Sequence, residues 1–96
     1  VERARSAWSE RARKGDLARN FAQLTPRERE VLTHVIAGKR NKVIAAEIGT
    51  TEKTVKVHRG RMMDKMKVRS VAELVRAADV LGVKPTPSPP RGAGAA

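Results

Sequence analysis

Residues 41–66 read NKVIAAEIGTTEKTVKVHRGRMMDKM, and Gly49 divides this stretch into two segments with helical spacing of apolar residues. Asn41 and Thr51 are residue types that cap helices, so two helices are predicted to begin there, the second running to about Met66. A short helix, a tight turn and a longer helix make a helix-turn-helix arrangement. The apolar faces are formed by Ile44, Ala45 and Ile48 in the first helix and by Val55, Met62 and Met66 in the second.

One further helix is predicted on each side of this stretch. Residues 25–28 (TPRE) fit a capping box with proline at the first helical position, and Gly38 marks the end of that helix. Residues 70–73 (SVAE) fit a second capping box, and Gly82 and Pro85 end the helix that follows. No stretch alternates with a period of two, so strands are not expected. The predicted inner faces are Val31, Leu32, Val35 and Ile36 in the helix before, and Val71, Leu74, Val75, Ala78 and Leu81 in the helix after.

The predicted fold class is therefore all-α, with a four-helix helix-turn-helix domain over residues 24–83 preceded by a helical linker. Residues 1–23 form that linker and are expected to be only partly helical, because Gly15-Asp16 interrupts a faint helical stripe. Residues 84–96 hold four of the five prolines together with small residues. Such a segment cannot offset its ordering entropy by burial, so it is expected to be a disordered Pro/Gly/Ala-rich tail.

Composition excludes several classes of protein. The 96 residues include no cysteine and only two histidines, so no metal site and no cofactor are expected. No nucleophile–base pair can be assembled, so the chain is not expected to be an enzyme and has no catalytic residues. Its apolar runs are too short to span a bilayer and its N-terminus lacks an apolar signal core, which favours a cytoplasmic location. Because it starts at Val1 rather than methionine, it is expected to be a piece of a longer protein.

A local excess of positive charge indicates the partner. The chain has a formal charge of +11, and residues 53–69 hold seven basic residues against one acid, Asp64. Lysine and arginine donate to guanine O6 and N7, valine contacts the thymine methyl group, and helix N-termini favour phosphate. Double-stranded DNA bound through its major groove is therefore the predicted partner. The predicted DNA-binding residues are Lys42, Thr51, Lys53, Thr54, Lys56, Val57, Gly60, Arg61 and Lys65.

Gly60 lies in the middle of the cationic helix, where glycine costs roughly 0.5–1 kcal/mol relative to alanine. Two explanations are open at this point. The missing side chain allows a phosphate or a base edge to approach the helix closely, or it merely relieves crowding within the protein.

Three segments are similar to a known family: LTPREREVL at 24–32, NKVIAAEIGTTEKTVKVHRGRMMDKM at 41–66 and VRSVAELVRAA at 68–78. They resemble the LuxR-type helix-turn-helix family, and most closely the effector domains of FixJ-like two-component response regulators. The resemblance covers about residues 24–81. It implies a four-helix LuxR-type domain that regulates transcription, with the third helix in the major groove. Its implied partners include a receiver domain, which this chain does not contain, and RNA polymerase.

The resemblance also implies roles for individual residues. Lys56 and Val57 match base-reading positions, whereas Lys42, Thr51 and Thr54 match positions that contact the DNA backbone. Gly60 departs from a subfamily with a base-reading lysine there, so the target sequence of that subfamily is not carried over. The fourth helix commonly forms a dimer interface, which implies a weak homodimer on DNA. The candidate dimer residues are Ala72, Val75, Arg76 and Asp79, with Ala78 shared between the interface and the core.

Two alternatives remain open from the sequence. The promoter-reading region of a sigma factor has a similar helix-turn-helix, although the fourth helix and the TVKVH segment favour a response regulator. A helical protein-interaction module would instead present its basic face to an acidic partner protein. Of the two histidines, His34 is expected to be a partly exposed bystander, and His58 a packed or phosphate-facing residue.

Overall fold

A computed structural model describes residues 13–86, and all regular secondary structure in that range is helical. In the described range, helix α1 comprises residues 13–22. It is followed by α2 (Pro26–Ile36), α3 (Asn41–Ile48), α4 (Glu52–Met66) and α5 (Val71–Leu81). The predicted all-α class, with a helical segment before four further helices, is confirmed. Most of the predicted linker (1–12) and most of the predicted tail (87–96) lie outside the described residues.

Helix α2 packs against α3, α4 and α5. One face of α4 packs against α2 and α3. The predicted inner residues of α2 and α4 are buried, while Ile36 and Ile48 are only partly buried against the core. The core is formed by Leu17, Leu24, Val31, Leu32, Val35, Ile44, Ala45, Val55, Met62, Met66, Leu74 and Ala77.

Helix α1 continues through Gly15 and Asp16, where the sequence predicted a break. The cost of one glycine in a helix, roughly 0.5–1 kcal/mol, is small compared with burying a leucine. Leu17 is 6% exposed and Phe21 packs against the core, so tertiary contacts hold the helix together across the glycine. The predicted interruption is therefore wrong.

Two predicted capping boxes differ in detail. Thr25 and Glu28 form a complete box at the start of α2, since each side chain accepts a hydrogen bond from the other residue's backbone N–H. At the start of α5, Ser70 accepts from the Glu73 N–H at 3.1 Å. The Glu73 carboxylate, however, accepts from the Arg69 N–H at 2.6 Å rather than from Ser70. The second box is therefore only half formed.

The predicted cap at Asn41 is wrong. The N-cap of α3 is Arg40, whose side chain makes no capping hydrogen bond, and Asn41 is the first helical residue. Asn41 Oδ1 instead accepts a hydrogen bond from Arg59 Nη1 of α4 at 3.0 Å. The amide thus joins the two helices of the helix-turn-helix instead of ending one of them. Arg27 of α2 donates to the Ile48 carbonyl at 3.3 Å and so connects α2 to the end of α3.

A buried carboxylate fixes the far end of α4 against α2. Glu28 is 2% exposed, and its Oε1 accepts from Lys65 Nζ at 2.7 Å and from the Thr25 N–H at 3.0 Å. Lys65 Nζ also donates to the Gln23 carbonyl at 3.3 Å. The hydrogen bond from Lys65, followed by that from Thr25, holds the pKa of Glu28 below its ordinary value of 4.5. The charged carboxylate is therefore favoured in the folded protein.

The beginning of the predicted disordered tail lies on α2. The Thr86 N–H donates to the Thr33 carbonyl at 3.0 Å, and the Thr86 hydroxyl donates to the Thr33 hydroxyl at 2.7 Å. Thr86 is thus held by a backbone and a side-chain hydrogen bond, which the prediction of disorder from residue 84 did not include. The end of the domain stays a prediction, because residues 87–96 lie outside the described range.

Replacing Glu28 by Gln is expected to lower the free energy of unfolding by about 2 kcal/mol at neutral pH, because the charged hydrogen bond with Lys65 is lost. A carboxyl group whose pKa is lowered on folding contributes stability above its unfolded pKa and loses it as the pH falls through the folded pKa. The difference between the wild type and Glu28→Gln should therefore shrink as the pH falls below 4.5. Urea unfolding over a pH series measures this difference in the free energy of unfolding.

The matched control is Glu30→Gln, at an exposed acid on the same helix that pairs with Arg27. Exposed pairs contribute less than about 1 kcal/mol, so this variant should stay close to the wild type. A Glu28→Gln variant as stable as Glu30→Gln would contradict the role of the Glu28–Lys65 pair.

Candidate nucleic-acid interface

The face of α4 opposite the core is exposed in the part of the chain that the structure describes. Val55, Met62 and Met66 point inward and are 0–1% exposed. At about 100° per residue, the opposite face is centred near Val57 and Asp64. Val57 is 46% exposed, although it is a large apolar side chain. The predicted DNA-binding residues on this exposed surface are Lys53, Lys56, Val57, Gly60 and Arg61.

The N-terminus of α4 is organised by two threonines. Thr51 Oγ1 accepts from the Thr54 N–H at 3.1 Å and donates to Thr54 Oγ1 at 2.9 Å. The Thr54 hydroxyl hydrogen therefore stays available to an acceptor outside the protein. Lys42 is exposed in the first turn of α3, a second helix N-terminus. Hydroxyl groups, an ammonium group and the positive ends of two helices are suited to binding phosphate.

Lys65 differs from the other predicted DNA-binding residues. Its ammonium group is bound to Glu28 and to the Gln23 carbonyl, so it faces α2 and the start of the domain. By helical geometry, its side chain leaves α4 about 80° from the centre of the outward face at Val57. The positive charge of residues 53–69 suggested that Lys65 contacts DNA. The buried carboxylate of Glu28 requires a charged partner, however, and Lys65 is that partner.

A second lysine, Lys39, is also paired within the fold. Lys39 is 9% exposed. Its Nζ donates to Glu47 Oε2 at 2.7 Å and lies 3.2 Å from His34 Nδ1. His34 is 6% exposed, so the prediction of a partly exposed bystander is wrong. Hydrogen bonding by Lys39 lowers the pKa of Glu47 and keeps it charged. This group connects the end of α2 to α3, and no spacing in the sequence indicated it.

His58 and Arg59 flank the buried face of α4. Both are half-buried, and Arg59 donates to Asn41. His58 Nδ1 is buried and has no hydrogen-bond partner among residues 13–86. The packed alternative predicted for His58 agrees with this placement. The connecting role of Arg59 was missed by the sequence analysis, because a polar contact between two helices has no periodic signal.

Helix α5 presents a separate exposed face. Leu74, Ala77 and Ala78 are buried, whereas Val75 is 43% exposed and Val71 is 37% exposed. The sequence left two explanations open for this stripe, use by the core or sharing with a second copy. Val71 and Val75 do not join the core, because Ala77 occupies that side of the helix. Ala78 is 2% exposed, so it is not available to be shared with a second copy. The exposed surface contains all four candidate dimer residues, Ala72, Val75, Arg76 and Asp79.

Other kinds of site find little support in residues 13–86. No group of three or more histidine, aspartate or glutamate side chains in this range is placed to hold a metal ion. Within the same range, no helix is long and apolar enough to cross a membrane. The outward face of α4 and the exposed face of α5 contain most of the residues that the sequence predicted for binding DNA and for pairing.

Comparison with known proteins identifies this arrangement. The family model of bacterial regulatory proteins of the luxR family matches residues 22–78. The chain is 48% identical over 63 residues to nodulation protein W of Bradyrhizobium diazoefficiens, covering 66% of this chain and 28% of that protein. It is 41% identical over 78 residues to the transcriptional regulatory protein FixJ of the same organism, covering 81% of this chain and 38% of that protein.

A solved structure is also similar. Full-length FixJ from B. japonicum matches with a TM-score of 0.69 and 40% identity, covering 85% of this chain and 40% of the other. The chain thus spans well under half the length of the relatives that it matches. The matched region includes all of α2, α3 and α4, the helices that carry the predicted DNA-binding residues. The resemblance inferred from the sequence is confirmed: this chain belongs to the luxR family of bacterial regulatory proteins and is a LuxR-type DNA-binding domain of the kind found in response regulators.

Proposed function

We propose that this domain binds specific sites on double-stranded DNA by inserting the outward face of α4 into the major groove. The observation that carries this proposal is the division of α4 into two faces. One face is buried in the core, and the other presents Lys53, Lys56, Val57 and Arg61 to solvent. An α-helix fits the width of the major groove, where each base pair has its own pattern of donors, acceptors and methyl groups.

Two groups of residues divide the work of recognition. Lys42, Thr51 and Thr54 lie at helix N-termini, where they bind phosphates and set the position of the domain on the duplex. Lys56 and Val57 lie in the second turn of α4, where they contact base edges. Lys53 and Arg61 extend the positive surface along the helix and add to the electrostatic attraction.

The exposed face of α5 is proposed to join two copies on DNA. Val75 supplies the apolar contact, and Arg76 and Asp79 offer opposite charges that can pair across a two-fold axis. The face is small and partly charged, so the contact is weak without DNA. Two copies then bind half-sites about one turn of the duplex apart.

In the full system, we place a receiver domain and RNA polymerase among the partners. The relatives are named as regulatory and response-regulator proteins, and each is longer than this chain. Phosphorylation of a receiver domain would act by bringing two α5 faces together or by uncovering them. The proposed location is the cytoplasm, where bacterial DNA lies.

Lys56→Ala is expected to reduce discrimination between a selected duplex and random DNA by about tenfold, because a base contact is lost. Lys42→Ala should weaken binding to both duplexes by the same factor, since a phosphate contact carries no sequence information. It should also lower the salt dependence by about one counterion. Fluorescence anisotropy titrations between about 50 and 200 mM salt measure both effects.

Equal loss of specific and non-specific affinity in Lys56→Ala would contradict its role in reading bases. Salt-dependent binding of the wild type without any selected sequence would indicate a generic cationic domain. Absence of binding at low salt would contradict the DNA proposal and favour an interaction module that binds an acidic protein.

Val75→Glu is expected to prevent two copies from binding together on a duplex with two half-sites, because it places a charge in the apolar part of the α5 face. Its fold should be retained, since Val75 is 43% exposed. Sedimentation of the protein–DNA complex measures the stoichiometry, and thermal unfolding checks the fold.

The matched control is Val80→Glu, on the same helix. Val80 is 46% exposed and lies about 140° around the helix from Val75. This variant should bind as two copies, as the wild type does. Equal stoichiometry in the two variants would exclude the proposed dimer face.

A further inference from the structure

Gly60 has no structural reason to be glycine. It lies in the interior of α4, where glycine is a poor helix former, and its φ is not positive. Apart from its chain neighbours and the backbone of its own helix, no atom of residues 13–86 lies within 4 Å of a Cβ atom built at this position. Relief of crowding, one of the two explanations left open by the sequence, is therefore excluded for this residue. The free domain would accept alanine and become more stable.

The absence of a side chain leaves a notch on the outward face of α4. Val57 lies one helical turn before Gly60 and forms an apolar wall that is 46% exposed. The floor of the notch is the helix backbone at Gly60. Lys56 and Arg61 flank it with positive charge, and both are exposed. The notch is thus apolar inside and cationic at its edges.

We propose that Val57 and Gly60 together receive the methyl group of a thymine in the major groove. This inference rests on the proposed DNA-binding function and adds a specific base to it. The C5 methyl of thymine is the apolar group that base edges present in the major groove, and it is the feature that an apolar notch without donors can select. The long side chains of Lys56 and Arg61 then reach neighbouring phosphates or purines.

A phosphate group fits this notch less well. Asp64 lies one turn beyond Gly60 on the same face, and it is exposed. Its negative charge offsets part of the attraction that Lys56 and Arg61 exert on a phosphate at this position. A carboxylate is instead compatible with base edges, because it accepts hydrogen bonds from the amino group of cytosine. The surroundings of Gly60 therefore favour a base over the DNA backbone.

The test uses a duplex selected from random DNA with the wild-type protein. Each thymine is replaced in turn by deoxyuridine, which removes only the methyl group. The wild type is expected to lose about fourfold in affinity at one thymine of each half-site, the value for burying one methyl group. Gly60→Ala is expected to bind the selected duplex at least fourfold more weakly and to show no further loss at that thymine.

Thermal unfolding of Gly60→Ala is measured alongside. Its Tm should rise, which separates lost recognition from lost folding. Gly15→Ala is the matched control, because it makes the same change inside α1. Within the described residues 13–86, the added Cβ meets the end of the Arg19 side chain at 3.6 Å. This variant should keep the affinity and the deoxyuridine effect of the wild type.

The outcomes distinguish the two levels of the proposal. No specific binding by the wild type would overturn the proposed function itself. Normal wild-type binding with unchanged affinity in Gly60→Ala would overturn the thymine notch alone. An equal loss of affinity for all duplexes in Gly60→Ala would also overturn the thymine notch, because it would indicate close approach of a phosphate. A deoxyuridine effect that persists in Gly60→Ala would overturn it as well.

Discussion

The burial of one face of α4 is the constraint on which the remaining structure depends. Val55, Met62 and Met66 are almost completely removed from solvent, and each contributes about 1.5–3 kcal/mol of hydrophobic stabilisation. Rotating α4 by even one residue would expose part of this face and bury charged side chains. The same contacts that hold the helix in the core therefore determine which side chains face outward, so the binding surface is a consequence of packing.

Polar contacts then refine a position that apolar packing has already chosen. Lys65 and Glu28 fix the end of α4 against α2, while Arg59 and Asn41 join it to α3. These contacts also decide which cations are free. Lys39 and Lys65 are paired with carboxylates in or near the core, so they cannot be counted as part of a DNA-binding surface. The formal charge of +11 consequently overstates the charge that the outward face offers.

Helix α5 also has one buried face and one exposed face, but its exposed face is partly apolar. Small residues, Ala77 and Ala78, fill the space against the core, and the larger Val75 is left in solvent. An exposed valine beside Arg76 and Asp79 suits a contact that forms only when DNA brings two copies together. The buried face of α5 stabilises the single domain, and its exposed face is the one proposed to pair with a second copy.

The sequence by itself determined the helices, most of their ends and the family. Periodic apolar residues, the cap at Thr51 and the glycines at the helix ends are local signals that act within a few residues, so they predict local structure well. It also indicated the outward surface of α4, because helical geometry places Lys53, Val57 and Arg61 opposite Val55 and Met62.

Only the tertiary structure decided the outcomes that depend on residues distant along the chain. Lys65 pairs with Glu28, 37 residues earlier, and Asn41 binds Arg59 instead of capping α3. Packing of Leu17 carries α1 through Gly15, and the open space at Gly60 excluded crowding. A side chain can form a hydrogen bond or an ion pair only with groups that folding brings within a few ångströms. That set of neighbours exists only once the helices have packed.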